Sequence, residues 1–205
     1  MDIKRVCIHE CCHAVVARLF RQRMTIEKLV MDVDLIEKDQ DLGTLHVNGP
    51  RLSDEQDYTA LAITLFAGVV GENVYLLGTD GIREKKEEII ADNTIMDWLS
   101  AGGDISSFSD TAFAFRLCYQ IDVYKLKEFC LRFLIDFLSN REVWSMVEKL
   151  YDELLKSNDL KLHKEELESA FRQIRLDELL DSKRKECLKQ CDEVLQFCQG
   201  MSHCL

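Results

Sequence analysis

Residues 3–21 read IKRVCIHECCHAVVARLFR. Apolar positions recur there at three- and four-residue intervals, and neither proline nor glycine interrupts them, so the stretch predicts a helix. Within it, His9-Glu10-Cys11-Cys12-His13 forms an HExxH motif. This spacing puts His9 and His13 one turn apart on one face, where two neutral imidazoles can share a tetrahedral Zn2+. Glu10 lies beside the first histidine around the helix, placed to take a proton from a water on the metal. At about 100° per residue, with His9 at zero, His13 falls near 40° and Cys12 near −60°. Cys12 therefore borders the histidine face, while Cys7 and Cys11 lie opposite. Cys12 has two readings: a small buried hydrophobe, or a thiolate that approaches the metal or oxidises to modulate the site. A catalytic zinc also needs a third protein ligand, and no further histidine near the motif provides one.

Outward from this helix, Thr25 to Val33 and Gly43 to Val47 read as two short strands, separated by a polar turn at Glu37 to Asp41. Asn48-Gly49-Pro50 is a stop. Ser53-Asp54-Glu55-Gln56 reads as a capping box with Ser53 as N-cap, opening a helix to about Leu77. Gly78 to Gly81 reads as a turn, and Arg83 to Leu99 as a helix with a charged start. After Ala101-Gly102-Gly103 a helix starts at Asp104 or Ser106. The remainder is helical, with breaks near Gln120, Ser139-Asn140, Ser157-Asn158 and Leu180-Asp181. His46 reads as a surface strand residue and His163 as part of a helix start. Cys187, Cys191 and Cys198 share a stripe with Leu180, Leu188 and Leu195 that reads as a packing face. His203 and Cys204 read as a frayed tail.

Composition sets the class. The 205 residues contain one proline and nine glycines, 47% hydrophobic and 31% charged residues, which excludes collagen-like, low-complexity and disordered chains. With 26 basic and 37 acidic residues the formal net charge is −11, which argues against a general nucleic-acid binder. Nine cysteines, an odd number, without a signal-peptide h-region imply reduced thiols in the cytoplasm or another reducing soluble compartment. No apolar run approaches the roughly 18 residues of a membrane span.

The order of motifs resembles the peptidase domain of the FtsH-type, AAA-linked zinc metallopeptidases. That family opens with a helix of the form HEAGHA; here the corresponding residues are His9 to Ala17. Leu42-Gly43-Thr44 matches the family's segment after the strand, Ala67 to Val74 its GGRAAEEL helix, and Ala101 to Ile105 its GASNDL segment. Leu131 to Phe171 is similar to its closing helices. The resemblance covers roughly residues 5 to 171. It implies a mainly α, zincin-like peptidase domain with a small two- or three-stranded sheet after the first helix and a C-terminal helical bundle. It also implies Zn2+ bound by His9, His13 and Asp104, with Glu10 as general base and Glu72 as the alternative third ligand. Peptides or unfolded proteins would be the substrates.

Four departures accompany the resemblance. The chain contains no ATPase module, Walker sequence or membrane anchor, so a homo-oligomer or a separate ATPase partner would have to present substrates. Cys11-Cys12 replaces Ala-Gly between the histidines. Residues 79–100 are longer than the family's connection, and residues 172–205 read as an extra helical extension beyond a 1–171 domain. The departures keep a second function open, a non-catalytic helical regulator on a peptidase scaffold, and a third, a helical bundle with an accidental motif.

Overall fold

The computed structural model describes residues 2–31, 44–48, 52–91 and 102–199, with the backbone alone at 102–106, 108 and 194–199. Helix α1 spans Ile3–Leu19, capped by the Asp2 side chain, which accepts from Lys4 N at 3.0 Å. Every residue from Val6 to Ala17 is buried. A helix buried all round must be wrapped, and α1 is. It packs against α2 (Glu55–Glu84), α6 (Arg141–Lys156), α8 (Leu176–Gln199) and strand β1 (Thr25–Val30).

Helix α2 is the second axis of the core, packing also on α4 (Gly102–Tyr119) and α5 (Val123–Leu138). Its N-cap is Asp54, which accepts from Asp57 N at 2.9 Å, one residue later than the expected Ser53 cap. The shift has a cause: Arg23 gathers the side chains of Asp54, Gln56 and Asp57, so Gln56 is not free to reach back. Ser53 instead donates its Oγ–H and N–H to Asp57. Near the other end Gly78, at φ 75° and ψ 163°, interrupts the helix where a turn was expected. The chain then resumes helical geometry at once rather than turning through Gly81. α3 (Lys86–Ala91) follows, and residues 92–100 of the expected Arg83–Leu99 helix lie outside the described residues. By length and mean hydropathy (1.7) α2 is long and apolar enough to cross a membrane, although no unbroken apolar run suggested it; 72% of that window is buried in this fold.

Breaks fall as expected at Gln120 (φ 56°), at Asn140, which caps α6, and at Ser157. No break occurs at Leu180-Asp181. The chain turns earlier, at Arg175 (φ 58°), because Leu176 and Leu180 both belong to the buried face of α8. Strand β2 (Thr44–Asn48) pairs antiparallel with β1, placing His46 opposite Lys28 and Leu45 opposite Leu29. A third strand, β3 (Lys161–His163), pairs antiparallel with β1 on the other side, giving the order β2-β1-β3 with β2 at an edge. His163 ends β3 and donates its N–H to Glu166 at 2.8 Å, starting α7 (Lys164–Gln173). The mainly helical class with a small sheet after the first helix is therefore the observed one.

The described part of the expected extension packs into the same core through Leu176, Leu180, Cys187 and Cys191. An ionic cluster ties it to the end of α1: Arg18 bridges Glu168 and Asp177, Arg21 meets Asp177 and Asp181, and Arg184 donates to the Leu19 carbonyl at 2.9 Å.

Candidate metal centre

The site forms where α1 packs against α2, and two glycines permit the close contact. A Cβ on Gly68 would stand 2.3 Å from His9 Nε2 and 2.5 Å from His13 Nε2, and one on Gly71 would stand 2.2 Å from Cys12 Sγ. Any larger residue at these places would collide with α1. His9 and His13 are each 5% exposed and Glu10 is 7% exposed.

Each imidazole is held by its Nδ1. That of His9 lies 2.6 Å from Oε1 of Glu72, whose other oxygen receives Arg5 Nε–H. That of His13 lies 2.6 Å from the Thr64 carbonyl. A carboxylate and a carbonyl accept, so both Nδ1 atoms donate, and a neutral ring held this way carries its lone pair on Nε2. The two Nε2 atoms face each other at 3.0 Å. Two Nε2 atoms at this distance can share a proton in an N–H···N hydrogen bond, or turn both lone pairs on a cation. Two nitrogens on one tetrahedral zinc at ~2.0–2.1 Å would stand about 3.3–3.4 Å apart, within a few tenths of an ångström of what is observed. This donor pair fits a zinc ion.

A cleft of about 120 Å³ opens beside the pair, lined by Glu10 and His13, by Thr44, Leu45 and Val47 of β2, and by Leu61, Thr64 and Leu65 of α2. Its walls are apolar apart from the motif and two threonines, and its rim is the edge strand.

The remaining sequence candidates lie as follows. No group of three or more His, Cys, Asp or Glu able to hold a metal occurs among the described residues. Asp104 falls in the first turn of α4, and its side chain lies outside the described residues. Glu72 meets the Nδ1 edge of His9, the far side of the ring from Nε2. Cys12 is fully buried; burial, then Glu72 and Glu10, push its thiol well above the usual range. Burial raises Cys7 to about 11, and it also raises Cys11 well above its usual range. His46 is exposed and lowered by burial, then by Lys28. Cys187 and Cys191 are buried packing residues; the side chain of Cys198, and His203 and Cys204, lie outside the described residues.

Sequence reasoning missed Arg5, the Thr64 carbonyl and Gly68. A signal existed for Arg5, which stands four residues before His9 on the His9–His13 stripe. None existed for Thr64, whose backbone oxygen carries no residue signature.

Comparison with protein-family models, curated proteins and solved structures finds no match to this chain.

Proposed function

We propose that this chain is a zinc-dependent metalloendopeptidase that hydrolyses peptides or unfolded proteins. The observation that carries the reading is the convergence of two buried Nε2 atoms at 3.0 Å, each ring fixed from behind by an acceptor on Nδ1. Metal-ligating histidines characteristically donate their other ring N–H to a carboxylate or backbone carbonyl, as both rings do here. His9 and His13 would hold the ion, and the FtsH-type resemblance nominates Asp104 to complete the set. When bound, zinc supplies Lewis acidity toward a carbonyl and a water.

The chain's own residues supply the rest. Glu10, at the cleft wall beside His13, takes the proton from the attacking water and passes it to the leaving amine. A substrate strand lies against the edge strand β2 by backbone hydrogen bonding, which brings one carbonyl to the motif and one side chain into the cleft between Leu45, Val47, Leu61 and Leu65. The apolar walls exclude water around Glu10.

The test is bound zinc by elemental analysis, with cleavage of an unfolded protein, in the wild type, His13→Ala, Asp104→Ala and Glu10→Gln. The expected result is metal lost in the first two variants, and metal kept but cleavage lost in Glu10→Gln. A wild type that neither carries nor rebinds zinc would overturn the metal centre. A zinc-loaded wild type that cleaves nothing favours the alternative, a non-catalytic regulator on the same scaffold.

A further inference from the structure

Arg5, His9 and His13 form a stripe along α1 at four-residue spacing. Arg5 is the member that the HExxH motif does not include. Its Nε–H meets Oε2 of Glu72, while Oε1 of the same carboxylate accepts from His9 Nδ1 at 2.6 Å. Glu72 is 1% exposed at its side chain and Arg5 34%. The guanidinium thus reaches in from the surface to a fully enclosed carboxylate.

We propose that Arg5 is a positioning residue of the metal centre. It holds Glu72 square on the Nδ1 of His9, and so keeps His9 in the tautomer whose Nε2 lone pair faces His13. The proposal rests on the metal-centre reading above.

The physical argument is one of rotation. The terminal torsion of a glutamate is broad and roughly two-fold, so contacts decide the orientation of its carboxylate plane. Arg5 on Oε2 and His9 on Oε1, both from α1, engage the two oxygens from different directions and so help to set that plane. Carboxylates that accept from a ligand histidine orient the ring and fix which nitrogen bears hydrogen. A guanidinium presents its donors in a rigid fork, which a lysine ammonium cannot imitate. Arg5 also offsets the charge of Glu72 through their ion pair.

The competing account is an ion pair that merely staples α1 to α2. That would alter stability and leave the His9 tautomer untouched. Long-range 15N–1H correlation on the metal-free protein reads the tautomer directly, and competition with a chromophoric chelator reads zinc affinity. In the wild type His9 is expected as the Nδ1–H form alone. Arg5→Gln is expected to show the Nε2–H form beside it and to bind zinc about tenfold or more weakly. Arg5→Lys is expected to lie between the two. Wild-type tautomer and affinity in Arg5→Gln overturn the proposal, and so does an affinity loss with the tautomer unchanged. Should Arg5→Gln fail to fold, an Arg5→Lys protein showing no Nε2–H form overturns it equally. If the wild type binds no zinc, the metal reading fails, while the tautomer comparison still decides the role of Arg5.

Discussion

His9 Nε2 and His13 Nε2 stand 3.0 Å apart, and a Cβ on Gly68 of α2 would come within 2.3 Å and 2.5 Å of them. The pairing makes Gly68 part of the site although it contributes no atom beyond its backbone.

Gly68→Ala should therefore displace both imidazoles. We expect zinc stoichiometry to fall sharply and stability to drop by about 1–3 kcal/mol from overpacking. Elemental analysis and urea denaturation of the purified variant check both. Retention of full zinc occupancy would show that the gap over Gly68 is not where the ion sits.

Cys12 is expected to behave as packing, not as a thiolate. Burial, Glu72 and Glu10 keep its thiol protonated, and its sulfur is enclosed against Gly71. Among the described cysteines, alkylation of the folded protein followed by peptide mapping should label the exposed Cys118 first and leave Cys7, Cys11 and Cys12 unlabelled. Cys12→Ala should leave zinc affinity unchanged, with or without oxidant, and cost on the order of 1 kcal/mol of stability.

The ionic cluster at the end of α1 predicts an acid dependence. Arg18, then Arg21, hold the Asp177 carboxyl below its usual value despite burial. A depressed folded pKa gives stability that is present above the unfolded value, near ~3.9, and is lost as pH falls through the folded pKa. Asp177→Asn should cost on the order of 1 kcal/mol at pH 7, with partial exposure limiting the figure. The difference from wild type should shrink below about pH 4. Chemical denaturation across pH 3–7, with ~ equal ionic strength throughout, reads it. A difference that stays constant down to the lowest pH would mean that the ion pair does not stabilise the fold.

Gly78 has open space around its Cα but a φ of 75° and ψ of 163°. This region is essentially reserved for glycine, so Gly78→Ala should destabilise by about 1–3 kcal/mol through strain alone. Because Gly78 lies beyond Glu72 on α2, zinc stoichiometry should be unaffected. Thermal melts with parallel metal analysis separate the two effects.

Local rules made several elements legible. The periodicity of residues 3–21, the β-branched run at Thr25 and the side-chain caps at Asn140 and His163-Glu166 all act within a few residues, and these elements stand where the pattern puts them. Two expectations failed where distant partners intervened. The α2 cap moved to Asp54 because Arg23, from the turn between α1 and β1, took the side chains of Asp54, Gln56 and Asp57. The break expected at Leu180-Asp181 moved to Arg175 because Leu180 belongs to a buried face and Asp181 pairs with Arg21. β3 is three residues long and exists only because β1 offers it an edge.

The candidate site divides the same way. The sequence by itself determined that His9, Glu10 and His13 lie within one turn of a helix, because four-residue spacing and the helical repeat require nothing else. Only the tertiary structure decided which nitrogens face the gap. That outcome depends on Glu72, 63 residues away, and on the Thr64 carbonyl, 51 residues away, occupying the two Nδ1 atoms. Hydrogen bonds from a second helix select a tautomer, and no pattern within the first helix encodes them.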